Sequence, residues 1–175
     1  MKLDDVVRKR IDRLNSLLAG LGRAEKVVFS TEDMVKRLAD THARFPKSTG
    51  DGSVYLYRIT LTSPDVTPEM LCKKFRAARR KGICNLSRDN NRHDSRTLYV
   101  GTSKDLHGRF RTHLGTGSGT TTWALYLSRW PVAGATFKVE YHRFPAASEV
   151  DVELIEGILW EASKPLFGKR GGRGA

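Results

Sequence analysis

Tyrosines on two strands, an arginine and a histidine on one helix, and a glutamate on another are the residues of this chain best suited to chemistry. Tyr55 and Tyr57 lie on one face of the alternating run SVYLYRITLT, and Tyr99 sits near the end of a second run, TLYVG. Gly101 lets the chain turn sharply into a helix, which Ser103 can cap. In that helix Arg109 and His113 stand four residues apart on one face, while Leu106, Phe110 and Leu114 form a neighbouring apolar face that can anchor it. A guanidinium and an imidazole are thereby aimed at whatever the tyrosines face. Near the C-terminus, Val152, Ile155, Leu159 and Ala162 make an apolar helical stripe with Glu156 inside it. A carboxylate in such surroundings needs a partner, either a cationic side chain or a divalent metal.

The elements that must position these groups follow from periodicity. Leu3, Val7, Ile11, Leu14, Leu18 and Leu21 form one helical stripe, ended by Gly20 and Gly22. A second helix is expected after Ser30, which with Asp33 offers a capping-box start. The stretch PKSTGDG reads as a linker, and TPEMLCKKFRAARRKG reads as a helix with Pro68 in its first turn. Further expectations are a flexible loop GTGSGTTT, a helix WALYLSRW ended by Pro131, a strand TFKVEYHRF and a last helix over about 149–163 capped by Ser148. The predicted fold is α/β of the α+β type, a small central, mostly antiparallel three-stranded sheet flanked by helices. Residues 1–50 are expected to be a helical extension, 51–170 the main domain with a basic insertion at 62–96, and 171–175 a flexible tail.

Charge narrows the partners. Lys and Arg number 31 against 19 Asp and Glu, a formal charge of +12, with a sequence pI near 10.0. Nucleic acid is the foremost polyanion and an anionic membrane surface the second. No apolar run is long enough to span a membrane and no leader segment stands out, so a cytoplasmic, nucleoid-associated protein is expected. Cys72 and Cys84 suggest neither a zinc site nor a disulfide framework.

The run VYLY, followed by YVGTSKDLHGRFRTH and LIEGILWEASKP, resembles the GIY-YIG nuclease domain. In that family the second tyrosine is followed by leucine at +7, arginine at +10 and often histidine at +14, which Tyr99, Leu106, Arg109 and His113 match. Glu156 stands nine residues before Pro165, as the family glutamate does before its proline. Ser53 replaces the glycine of the first motif, about 40 residues separate the two tyrosine motifs, and Gly168 stands where the family has asparagine.

The resemblance implies metal-dependent hydrolysis of phosphodiester bonds in DNA. One magnesium or manganese ion would be held by Glu156, and Arg109 would clamp the phosphate. Tyr55 or Tyr99 would take the proton of the attacking water and His113 would relay it. Lys73, Lys74, Arg76, Arg79, Arg80 and Lys81, with Lys169 and Arg170, are expected to hold the DNA backbone. Double-stranded DNA is the expected substrate, with RNA open, and the N-terminal helix could join a second copy or a partner protein. A restriction-like or mobile-element and defence nuclease is the first reading. The others are a repair or junction nuclease and a non-catalytic nucleic-acid-binding module on the same fold.

Overall fold

The computed structural model describes residues 3–19, 22–82, 84–116 and 122–171. In chain order the elements are α1 (Leu3–Ala19), β1 (Glu25–Ser30), α2 (Thr31–Lys36), α3 (Leu38–Ala43), β2 (Val54–Leu61), α4 (Pro68–Arg80), β3 (Thr97–Ser103), α5 (Leu106–Leu114), β4 (Thr136–Phe144) and α6 (Glu149–Ser163). Short 3-10 turns occupy Leu127–Arg129 and Ala146–Ser148.

The sheet has four antiparallel strands in the order β1-β4-β2-β3, which corrects the expected three-stranded sheet. The additional strand is β1, EKVVFS, which lies in the stretch read as a helical extension and pairs with β4 from Glu25 opposite Tyr141 to Ser30 opposite Thr136. Its three consecutive apolar residues do not alternate, so its period of two is hidden. Only Val27 and Phe29 turn inward, while Val28 is exposed on the edge.

β2 separates two packed layers because its side chains alternate in direction. Tyr55, Tyr57, Ile59 and Leu61 face a large core that takes Met34 from α2, Leu71 and Phe75 from α4, and Leu106, Phe110 and Leu114 from α5. Val54 and Leu56 face the other way and join Val100, Phe144 and Val152 beneath α6. Phe110 stacks on Phe45 with ring centres 3.8 Å apart and meets Tyr57 edge-on at 5.3 Å. Truncating so buried a ring to alanine costs about 3–5 kcal/mol, so α5 is fixed on the sheet as well as attached to it by the connection at Lys104 and Asp105. The turn expected at Gly101 is absent, because Gly101 stands inside β3 opposite Tyr57.

Local chemistry sets the helix ends. Ser30 and Asp33 form the expected capping box of α2, and Thr67 caps α4 with Pro68 in its first turn. The cap of α5 is Asp105, whose carboxylate accepts from the Gly108 N–H at 3.0 Å, while Ser103 bonds to the backbone of Asp105. Ser148 stands at the start of α6 without a capping side-chain bond. The expected helix WALYLSRW is reduced to one 3-10 turn, because Tyr126 takes a left-handed backbone (φ 49°) that an α-helix cannot include. Most of the GTGSGTTT loop, the end of the first helical stripe and the last four residues of the tail lie outside the described residues.

α1 touches the body through charge. Asp151 of α6 is fully buried, and Arg10 and Arg13 approach its carboxylate at 2.7 and 2.6 Å. The groups are close charge pairs rather than aligned hydrogen bonds. Val7, Ile11 and Leu18 on the same helix remain exposed. Cys72 and Cys84 are free thiols, and no helix among the described residues is long and apolar enough to cross a membrane.

Candidate active site

β3 is an edge strand, and the candidate site wraps around that edge. The antiparallel register sets Tyr57 of β2 opposite Gly101 of β3, and Ile59 opposite Tyr99. Tyr57 and Tyr99 are therefore diagonal neighbours on one face, with nearly parallel rings 6.1 Å apart. A Cβ on residue 101 would lie 2.7 Å from the Tyr99 ring and 2.9 Å from the Tyr57 hydroxyl. Glycine there lets the Tyr57 hydroxyl and the Tyr99 ring approach the strand more closely than any side chain would allow.

α5 delivers two nitrogen-bearing groups to these hydroxyls. Arg109 donates from Nε to the Tyr57 hydroxyl at 3.0 Å and from Nη2 to the Tyr99 hydroxyl at 2.9 Å. His113 is fully buried, with Nε2 2.9 Å from the Tyr57 hydroxyl. On its other side Nδ1 accepts the Leu125 backbone N–H at 3.2 Å. Burial, reinforced by the Arg109 charge, holds the His113 pKa well below the usual value, so the imidazole is neutral. A neutral ring that accepts at Nδ1 carries its hydrogen on Nε2 and donates it to Tyr57. The Tyr57 oxygen thus accepts two N–H donors, and its own hydrogen is not needed for either bond.

The electrostatics of this cluster oppose one another. Burial pushes the Tyr57 pKa up, and Arg109 only partly offsets that, so the resting side chain is a phenol. Burial of Arg109 favours its neutral form, yet the two tyrosine oxygens outweigh this and the guanidinium stays charged.

The opposite wall belongs to α6. Glu156 is buried, and its Oε2 accepts the Thr102 hydroxyl at 2.9 Å. Burial raises its pKa against the lowering effect of Thr102, with neighbouring Glu153 raising it further. A cavity of about 750 Å³ is lined by Tyr99, Gly101, Thr102, Glu153 and Glu156 and bounded on its basic side by Arg79 and Arg88. No Lys or Arg among the described residues lies within ion-pair distance of Glu156, and no cluster of three or more acidic, His or Cys side chains forms a closed cage there. Two carboxylates one helical turn apart, both lining the cavity and with Gly171 lying against that of Glu156, fit a hard divalent cation that keeps most of its own water.

Tyr99, Arg109 and His113 thus meet in one network, with Glu156 across the cavity. Tyr55 is placed elsewhere: its ring packs edge-on against Tyr141 at 6.1 Å, and it makes no bond to Arg109 or His113. The strand period puts both tyrosines on the same face; the register selects Tyr57. Of the basic residues, Arg79, Lys169 and Arg170 line the cavity, and Lys73, Lys74, Arg80 and Lys81 are exposed along α4 and its end. Arg76 is bound to Asp89 and to Asn91, so it braces the 62–96 segment internally. Thr102 and Glu153 carry no signal of their own in the sequence, although Glu153 lies one turn before Glu156, while Arg88 belongs to the polar stretch NLSRDNNR, whose Asn and Arg side chains are of types that contact nucleic acid.

Gly168 also has a defined position. The chain at 166–168 runs beside β3, with Leu166 and Phe167 N–H groups bonded to the Thr97 and Leu98 carbonyls. Gly168 has φ 99°, and a Cβ on it would lie 2.7 Å from the Tyr99 ring. The Tyr99 ring occupies the space a side chain at 168 would need. Comparison with family models, with curated proteins and with solved structures returns no match to this chain.

Proposed function

We propose that the protein is a divalent-metal-dependent DNA endonuclease of the GIY-YIG type, acting in restriction or in mobile-element and defence biology. The observation that carries this reading is the convergence of Tyr57, Arg109 and His113 in one hydrogen-bonded network with Tyr99, which lines a cavity shared with the buried carboxylate of Glu156. A solvated helix face would not bury a neutral imidazole and a charged guanidinium on the same phenol.

Tyr57 is the group that accepts a proton. Its phenolate would be held by two N–H donors, one of them charged, while Tyr99 has the Arg109 bond and lines the cavity where substrate would lie. Magnesium or manganese, held by Glu156 with Glu153 beside it, supplies positive charge next to the scissile phosphate when bound. Arg109 ties the two hydroxyls together, and His113 maintains the acceptor state of Tyr57 through Nε2–H. Tyr57 acts from its phenolate, its own hydrogen first being lost to solvent. The water that attacks phosphorus then gives its proton to the phenolate oxygen, a P–O bond forms as the bond to the leaving oxygen breaks, and the leaving oxygen takes a proton from solvent. The exposed lysines and arginines of α4 supply phosphate contacts at the edge of the site.

Incubation with supercoiled plasmid and magnesium or manganese tests the reading. Nicked or linear product from the wild-type protein, absent with Glu156→Gln, supports it. Binding of the plasmid without conversion at any protein concentration overturns it in favour of a non-catalytic binding module.

A further inference from the structure

Trp123 is the feature of the cavity that hydrolysis leaves unused. Its side chain is 59 % exposed, yet it lines the same cavity as Tyr99, Thr102 and Glu156. The backbone on either side of it is fixed. The Thr122 carbonyl accepts the Tyr126 hydroxyl at 2.6 Å, and Ala124 forms a parallel bridge with Leu86. The indole is therefore presented from a braced segment. Trp130 and Trp160 differ from it: the Trp130 ring packs on Phe75 and donates to the Leu125 carbonyl, and Trp160 faces the Arg92 guanidinium at 5.5 Å. Trp123 has no ring or cation partner among the described residues.

Its neighbours across the cavity give the exposed ring a chemical context. Arg79, Arg88 and Lys169 line the same space and form no ion pair among the described residues. An apolar ring beside unpaired cations suits a ligand with a flat aromatic face and an anionic backbone, which is the composition of a nucleotide. A cavity of about 750 Å³ has room for one such unit beside the reacting phosphate. Bases in a continuous duplex hide their faces against one another, so the ring can be used only by a base that has left the stack.

We propose that Trp123 is a stacking platform for one unstacked base next to the scissile phosphate, so that the preferred DNA carries an unpaired nucleotide at the cut. This rests on the nuclease reading and specifies the state of its substrate. The cations hold the flanking phosphates, and the indole takes the base that the duplex releases. Mismatched, bulged or single-stranded positions cost least to open and are engaged most tightly.

The test is anisotropy binding in EDTA with two labelled duplexes of equal length, one fully paired and one with a central bulged nucleotide. Wild type is expected to prefer the bulged duplex. Trp123→Ala should weaken that complex about tenfold and leave the paired duplex unchanged, and Trp123→Phe should retain most of the preference. Equal binding of both duplexes by wild type, or an equal loss on both with Trp123→Ala, overturns the proposal. The chelator prevents cleavage, so failure of the nuclease reading appears separately, as intact plasmid in the magnesium assay.

Discussion

The Tyr57 hydroxyl lies 2.9 Å from Nε2 of His113, and because His113 is neutral and accepts at Nδ1, the hydrogen between them belongs to the imidazole. Histidine here holds a phenol oxygen in an acceptor state and does not charge it. Arg109 adds the second donor. Replacing Tyr57 by Phe should therefore lower the single-turnover cleavage rate about 100-fold or more. Tyr55→Phe removes a hydroxyl outside the network and should leave the rate within about threefold. Rates at saturating DNA, with binding measured beside them, check both, and equal losses would refute the assignment.

Much of this site is legible in the residues and the remainder depends on pairing. Tyr99 and Gly101 occupy one strand, and Arg109 and His113 the helix that follows it, so their spacing alone brings them together. Tyr55 and Tyr57 cannot be separated that way, since both lie on one face and only the register of β2 on β3 sets Tyr57 against Gly101. β1 is obscured for a related reason. It is short, Val27, Val28 and Phe29 break its alternation, and its partner β4 lies more than 100 residues along the chain. The helix expected at WALYLSRW fails on one backbone angle, that of Tyr126.

Burial raises the Glu156 pKa, so its ionisation costs folding free energy. The stability linked to the protonated form is present below the ordinary value of 4.5 and is lost as pH rises through the raised one. Glu156→Gln keeps an acceptor for Thr102 and removes that penalty. Its Tm at pH 7 should equal or exceed that of wild type, by up to about 5 °C. Magnesium should raise the Tm of wild type and leave that of Glu156→Gln unchanged in thermal melts.

His113 titrates in the opposite sense. Its pKa is lowered in the folded protein by burial and by Arg109, so its contribution to stability is intact above the ordinary 6.5 and is lost as pH falls below it. His42, lowered mainly by burial and then by His107, acts in the same direction. The difference between wild type and His113→Gln isolates the first group. In urea melts from pH 7.5 to 5, the wild-type midpoint should fall more steeply than that of the variant.

Introducing asparagine at position 168 should harm the protein. The backbone angle there is one asparagine tolerates better than most residues, but its Cβ would approach the Tyr99 ring to 2.7 Å. Gly168→Asn should destabilise the fold by about 1–3 kcal/mol and lower cleavage by displacing Tyr99. An active, undestabilised variant in chemical denaturation would show that the ring can move aside at no cost.

Asp151 holds α1 against α6 through Arg10 and Arg13, both partly exposed, so the full penalty of a broken buried pair does not apply. Asp151→Asn should cost about 1–3 kcal/mol. It should also expose residues 3–19 to proteolysis before the sheet unfolds. Mass spectrometry of early tryptic fragments gives the order of cleavage.

The run at 166–168 lies against β3 and seats Gly168 beneath Tyr99, so one wall of the site is supplied by residues synthesised after α5 and α6. Tyr57, Arg109 and His113 can be in place while synthesis continues, but the wall that fixes Tyr99 cannot. A ribosome-bound chain stopped before residue 166 therefore holds an incomplete centre. The order of translation leaves the Tyr99 side of the cavity without its backing until that segment has emerged.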